Sequence, residues 1–336
     1  MIPFDEISME DSIAEKKCSL SKNANIKNKI AIIVTNVRTV HFFLRAHLKK
    51  LSEIYDVTLI LNNDEPDLLM EMALPVRVLE IQIERKIKLF ADIKTLFELI
   101  LIFRREKFKA VHTITPKAGF LGSLASFLAR IPIRIHTFQG EVWVNTTGLI
   151  RRFFIFLDQI VARLTTNILV VSYSEHDFLI KERILKIGQA TVLGAGSIGG
   201  VDLNRFSIKP EHRQLQRSKL GYLDNDIVFA YVGRLNVDKG LSILTDAFDI
   251  LFPNHPNARL LFIGPDEDGT GEQLKDFSSR YALGVVTVLP FMRNPETSSI
   301  SADVLILPSF REGFGIVILE AVAMWIPAIG SNIYGI

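Results

Sequence analysis

One cysteine, Cys18, is all that the 336-residue chain contains, so neither an intrachain disulfide nor a cysteine-built metal cluster is open to it. A reducing compartment suits that usage. The polar stretch around Cys18 marks an inert thiol rather than a nucleophile. Long apolar runs are also lacking. The most apolar stretch, LFELILIF (96–103), contains Glu98 and ends at Arg104, well short of the roughly 20 apolar residues that span a bilayer. Residues 1–28 are polar, carry no apolar core of a secretory signal, and read as a mobile tail. Little net charge remains overall, a formal +2, but the halves differ. Residues 29–200 hold 23 Lys/Arg against 16 Asp/Glu, and residues 201–336 hold 12 against 16. A basic first half suits an anionic neighbour, either nucleic acid or a membrane surface, and an acidic second half suits the solvent.

What is present is a folding composition. Hydrophobic residues make up 48% and charged residues 23%, which argues for a sizeable core and against disorder. The length exceeds one ordinary core, so two domains are expected. Strand-like runs at 29–36, 56–62, 76–83, 109–114, 133–138, 167–172 and 190–193 alternate with helical spacing at 42–54, 91–106, 117–131, 149–165 and 174–186. GAGSIGGVD (194–202) interrupts the pattern with glycines and reads as a flexible interdomain linker. Alternation then resumes, with strands at 227–233, 258–264, 285–290, 303–309 and a start at 327–331. Helices are expected between them at 239–252, 271–282, 295–301 and 315–325. The fold class is therefore α/β: two doubly wound, Rossmann-like domains with parallel sheets, at 29–200 and 201–336. Ligands of such sheets bind beyond the carboxyl ends of the strands.

Three loops in the second half carry convergent chemistry. In VGRLNVDKG (232–240), Arg234 leaves a strand and Lys239 opens a helix, which makes a receptor for a diphosphate. In REGFGIVILEA (311–321), Gly313 and Gly315 permit close backbone approach, and a helix starting near Gly315 would aim the free amides of 315–317 into the loop. Glu312 and Glu320 are offset by roughly 10 Å along that helix, too far apart to act as one acid. They suit the two ends of an elongated ligand, because a carboxylate accepts hydrogen bonds from vicinal sugar hydroxyls. FMRN (291–294), with Met292, can present backbone groups to a nucleobase. The acidic turns at 224–226 and 266–268 could suggest a metal, but Asp and Asn favour turns for local reasons, and no metal or other cofactor is expected.

The pair VGRL…KG and PSFREGFGIVILEA (308–321) resembles the retaining GT-B glycosyltransferases of family four, whose signature is a glutamate, seven residues and a second glutamate, as at Glu312 and Glu320. The resemblance covers residues 29–336. It implies a nucleotide-sugar donor, UDP-linked, held mainly by the second domain. Arg234 and Lys239 would take the diphosphate, Glu320 the ribose and Glu312 the donor sugar. Gly313, Phe314, Gly315 and Ile316 would line phosphate and sugar. FKAVHTITPKAGFLGSLASFLARIPIRIHTFQGEVW (108–143) is similar to members that build capsule, O-antigen or glycan-lipid chains. Those members extend a saccharide on a polyprenyl diphosphate at the cytoplasmic membrane face, which implies a peripheral, cytoplasmic enzyme without a nucleic-acid partner. His136 matches a family histidine near the reacting sugar, whereas His112 reads as structural. Members continue beyond SNIYGI, so the resemblance implies a second domain truncated at its end. The competing readings are a GT-B sugar-nucleotide epimerase and a catalytically silent nucleotide-sugar binder or membrane scaffold.

Overall fold

A computed structural model describes residues 27–84, 87–207 and 210–336. Cys18, nearly all of the expected tail, and Arg85 and Lys86 lie outside these residues. Among the described residues, twelve strands form two sheets. β1 (Lys29–Asn36), β2 (Asp56–Asn62), β3 (Arg77–Glu80), β4 (Ala110–Ile114), β5 (Ile133–Phe138), β6 (Asn167–Val170) and β7 (Ala190–Val192) pair in the order 3-2-1-4-5-6-7. β8 (Ile227–Val232), β9 (Ala258–Ile263), β10 (Val286–Leu289), β11 (Val304–Leu307) and β12 (Ala328–Gly330) pair in the order 10-9-8-11-12. Every pairing is parallel, as expected for β-branched apolar runs buried on both faces. Strand order reverses between β1 and β4, and again between β8 and β11. These are the two places where a doubly wound sheet opens a crevice.

Helices α1 (Arg45–Ile54), α2 (Pro66–Glu71), α3 (Leu89–Glu106), α4 (Pro116–Leu128), α5 (Gly148–Leu164) and α6 (Tyr173–Lys181) accompany the first sheet. α7 (Pro210–Lys219), α8 (Leu241–Leu251), α9 (Thr270–Ser278), α10 (Glu296–Ser299) and α11 (Ile316–Ala323) accompany the second. The expected helix at 42–54 begins earlier, with a helical turn at Val37–Thr39 and a π-helical turn at Val40–Leu44 before α1. Asn36 starts it: its Oδ1 accepts from the backbone N–H and the hydroxyl of Thr39, both at 3.0 Å. The expected strand at 76–83 keeps only β3, with Ile81 N still donating to Leu61 O of β2 at 2.9 Å just beyond it.

α7 escapes sequence reading because PEHRQLQRSK has no apolar stripe. Arginines hold it instead. Arg213 Nη1 donates to the Ile300 and Ala302 carbonyls, and Arg213 and Arg217 both pair with Asp303, which also accepts the Val228 amide at 2.8 Å. The glycine-rich crossing at 194–202 is packed rather than free. Ser197 N donates to Val171 O at 2.6 Å, Gly199 lies on Phe43, and Gly196 lies on the Phe314 ring.

The small residues of α4 bring it close to the sheet. A Cβ on Gly122 would meet Thr113 Cγ2 at 2.6 Å, and one on Gly119 would meet His136 Cε1 at 2.4 Å. Gly119→Ala should therefore overpack this seam and lower stability by roughly 1–3 kcal/mol. Thermal unfolding checks it, and an unchanged midpoint contradicts the packing described.

Candidate active site

The reversal between β8 and β11 gathers the charged loops. Lys239 ends a 3₁₀ turn (Val237–Lys239) that leads into α8. Its Nζ donates to Glu312 Oε1 at 2.5 Å, and Ser309 Oγ donates to the same oxygen at 2.8 Å. Lys239 is buried, and desolvation pulls its ammonium below the usual lysine range, opposed by the Glu312 charge. Gly240 makes this approach possible. It adopts φ +64°, and a Cβ there would sit 2.1 Å from Pro308 O at the end of β11.

Arg234 Nη1 donates to Glu267 Oε2 at 2.7 Å, Asn236 Nδ2 donates to that oxygen at 3.1 Å, and Tyr231 donates its hydroxyl proton to Arg234 O. Both expected phosphate cations thus already carry a carboxylate partner. Arg311 supplies a third cation. Its Nη2 donates to Asp238 Oδ2 at 2.9 Å, Asn145 Nδ2 donates to Asp238 Oδ1 at 2.9 Å, and Arg311 Nη1 reaches Gly140 O at 3.4 Å.

These last contacts join the two sheets. Gly140 follows β5, and the backbone at 139–140 crosses that of Gly313 so tightly that a Cβ on Gly313 would meet Gln139 C at 2.4 Å. A second junction lies at the other reversal. His41 Nε2 lies 3.0 Å from Arg293 O, and the Phe42 ring meets Phe291 edge-on at 6.2 Å.

Several sequence expectations are corrected here. The Gly315 amide is not free: it donates to Gly335 O at 2.7 Å, and the Ile316 amide donates to Phe314 O. α11 does begin at Ile316. Phe314 rests on Gly196, and Met292 packs with the apolar cluster under β8 and β11. Glu320 lies apart from Glu312, near Arg205, which grips Glu296 through Nε (2.7 Å) and Nη2 (2.8 Å). Glu320, Phe206, Val232 and Met324 line a cavity of about 10 Å³, enough for about one water, so a ribose must reach Glu320 from outside it.

His136 does not join the others. It is 3% exposed, shares a 2.8 Å hydrogen bond between its Nδ1 and Thr113 Oγ1, lies edge-on to Phe138 and faces Gly119. Burial, helped by nearby His112, lowers its pKa to about 3, so it is neutral and supports α4. His112 lies 2.8 Å from Thr137 Oγ1 and is structural by geometry.

The acidic turns are spoken for locally. Asp226 accepts from Leu223 N and pairs with Arg259, Asp266 accepts from Gly269 N, and Asp268 accepts from Thr270 and Val237 N. Arg311 was within reach of sequence reasoning, as a cation adjoining Glu312. Gly140, Glu141, Asn145 and Glu175 were not, because only the apposition of the two sheets brings them here.

Two family models match the chain: residues 44–196 match a glycosyl transferase 4-like domain, and residues 212–336 match glycosyl transferases group 1. The capsular polysaccharide biosynthesis glycosyltransferase CapM of Staphylococcus aureus is 32% identical over 76% of this chain and 67% of its own length. The chain belongs to the glycosyltransferase family. The UDP-Gal:alpha-D-GlcNAc-diphosphoundecaprenol alpha-1,3-galactosyltransferase of Escherichia coli is 30% identical over 75% of this chain. The chain spans 65% of that relative's length. Among solved structures, Anabaena HepE in complex with UDP and glucose superposes with a TM-score of 0.73 at 20% identity, over 92% of this chain and 82% of that one. The glycosyltransferase therefore has the GT-B architecture, two parallel-sheet Rossmann-like domains.

Burial raises the Glu320 pKa from 4.5 to about 7, with Arg205 opposing and Glu296 adding. Between those values the folded glycosyltransferase holds a proton that the unfolded chain has lost, so the Glu320 contribution to stability falls as pH rises through the window. Glu320→Gln removes this dependence. Its melting temperature relative to wild type should rise from about pH 5 to about pH 8. A pH-independent difference contradicts the assignment.

Proposed function

We propose that this glycosyltransferase moves a sugar from a nucleotide-sugar donor, UDP-linked, to a hydroxyl of a polyprenyl-diphosphate-linked saccharide, with retention of configuration, in surface polysaccharide or glycan assembly. The observation that carries the proposal is the buried Lys239–Glu312 pair with Ser309 at the β8/β11 reversal, beside Arg234. In this reading residues 201–336 bind the donor and residues 29–200 the acceptor. The names and activities of the relatives support the substrate classes.

The chemistry follows from the donor set. An ammonium has three N–H groups, so Lys239 keeps Glu312 while donating to a phosphate oxygen. Arg234 binds Glu267 through Nη1, and its side chain is 43% exposed, with further N–H groups to offer a ligand. Arg234 and Lys239 stabilise the departing diphosphate as fixed charges, without a metal. Glu312 orients the sugar hydroxyls and Glu320 the ribose. Gly313, Phe314, Gly315 and Ile316 border the phosphate and sugar, and Met292 the base. No carboxylate is assigned as a nucleophile, and the acceptor hydroxyl enters on the face the diphosphate leaves. His136 is left out of the reacting set.

The first test is donor turnover. Arg234→Ala and Lys239→Ala should each slow transfer or donor hydrolysis on the order of 100-fold, as loss of one such donor does elsewhere. Glu320→Ala should weaken binding of the free nucleoside diphosphate in calorimetry, while Glu312→Ala spares it and damages transfer. Full turnover in both cation variants, or strict dependence on a divalent ion, overturns the reading.

The acceptor implies a membrane. Among the described residues no helix is long and apolar enough to cross one. α3, α4 and α5 lie side by side on one face of the first sheet. They expose Leu89, Phe90 (88%), Phe97 and Leu101, then Phe127, then Leu149 (81%), Ile150 and Phe153. Arg104 and Arg105 of α3 and Arg152 of α5 are exposed on the same helices. Arg151 does not serve it, since its Nη2 donates to Glu182 and its guanidinium lies 4.9 Å from the Trp143 ring centre. Such a mixed surface lies in an anionic interface, each cation contributing about 1 kcal/mol. We place the enzyme there, peripheral at the cytoplasmic face of the membrane. Co-sedimentation with anionic vesicles should fade at high salt and drop when Arg104, Arg105 and Arg152 become Glu. Failure to bind at low salt ends this part of the proposal.

A further inference from the structure

The Gly140 backbone is gripped on both sides of its Cα. Its N–H donates to Glu175 Oε1, and its carbonyl accepts from Arg311 Nη1. Glu175 belongs to α6 on the first sheet, and Arg311 belongs to the loop after β11 on the second. Gly140 takes φ +89°, and a Cβ there would press on Gly313 N at 2.9 Å. The Gly140 backbone therefore touches the residue next to Glu312, and the two peptides that flank its Cα are each held by a side chain, one from each half.

Glu175 is built for this task. Ser172 Oγ caps the Glu175 amide at 3.0 Å, which starts α6, and the Glu175 carboxylate turns back to accept Val171 N at 3.0 Å as well as Gly140 N. The side chain has no exposure, so its two oxygens are spent on the ends of β5 and β6. On the far side, Arg311 is braced by Asp238, and Asp238 by Asn145 from the first half.

We propose that Glu175 and Arg311 are positioning residues for sugar transfer: by fixing the peptides on either side of Gly140 from opposite halves, they set the Gly313 backbone, and with it Glu312, when the two sheets face each other. This rests on the reading of Glu312 and Lys239 given above.

The groups around Glu175 add a pH dependence. Glu141, from the same loop, meets Glu175 and accepts from the Tyr334 hydroxyl at 3.1 Å, while its Oε1 has no N–H or O–H donor. Asp158 of α5 accepts Trp143 Nε1 at 2.6 Å, and Arg151 of the same helix lies over the Trp143 ring, paired with Glu182. Ser174 of α6 accepts Gly335 N, and the Tyr334 ring stacks on Phe178 at 4.3 Å. Burial first, then the Glu175 charge, raises the Glu141 carboxyl well above its ordinary range. The neutral form of Glu141 is therefore favoured beside Glu175. Burial raises the Glu175 pKa to about 7, while the Val171 and Gly140 N–H groups favour its charged form; the grip therefore suits one charge on Glu175, and a second charge arriving on Glu141 as pH rises loosens it.

Hydrogen exchange across residues 138–145 and 311–315 tests this in the full chain, alongside steady-state kinetics with a nucleotide sugar. Glu175→Gln offers an N–H where an acceptor is needed, and Arg311→Gln cannot reach both Asp238 and Gly140. Both should speed exchange in both segments at neutral pH and lower kcat on the order of 10- to 100-fold, as a misplacement of about 1 Å does. Affinity for free nucleoside diphosphate should stay within about twofold of wild type, a factor worth about 0.4 kcal/mol. Glu141→Gln, the neutral isostere, should keep slow exchange and remove the alkaline loss expected of wild type. Unchanged exchange in Glu175→Gln and Arg311→Gln overturns the proposal. So does parallel loss of nucleotide affinity and melting temperature, the mark of general unfolding. Because exchange is read without any sugar transfer, an inactive wild type with the expected exchange pattern refutes the functional reading, and with it the role in transfer, and leaves only the grip on Gly140 standing.

Discussion

The buried pair between Lys239 and Glu312 is the contact on which the rest of the candidate site depends. It closes the reversal between β8 and β11, the one place in the second sheet where neighbouring loops diverge. Burying two charges costs several kcal/mol per ion before their attraction repays it, so such a pair is weak evidence for stability. Its use here is geometric. Gly240 lets the loop after β8 lie against Pro308, the pair then fixes Glu312 beside Ser309, and the next residue, Gly313, meets the first half through Gly140.

The same logic extends outward as alternating charge. Arg234 faces Glu267, Lys239 faces Glu312 and Arg311 faces Asp238. A strongly positive pocket would attract any phosphate. A pocket whose cations already carry carboxylates demands a ligand with enough charge and enough hydroxyls to reward both signs at once. A diphosphate flanked by two sugars meets that demand, and inorganic phosphate does not.

Much of this was legible in the sequence where local signals suffice. β1, β2 and β5 fall on the expected residues because β-branched apolar runs bounded by turns admit few alternatives. Arg234, Lys239, Gly313 and Glu312 stood out because strand-end loops of doubly wound sheets carry chemistry. α7 was hidden, since its stability comes from arginines reaching distant carbonyls rather than from an apolar face. His136 misled for a related reason: strand-end placement suggested the cleft, but its side chain points under α4, into the space left by Gly119. The carboxylate partners of the cations, and everything contributed by residues 139–145 and 175, depend on how two sheets oppose each other, which no window of sequence contains.

The arginine-held start of the second sheet has a wider consequence. Arg213, Arg217 and Asp303 tie α7 to the beginnings of β8 and β11, the ends opposite Lys239 and Glu312. One end of the sheet is thus secured by interactions that involve no residue of the charged loops at 232–240 and 308–315. A lineage built this way is free to rewrite those loops for a different sugar or base while its scaffold stays folded. Substrate range and structural integrity can then be inherited as separate traits.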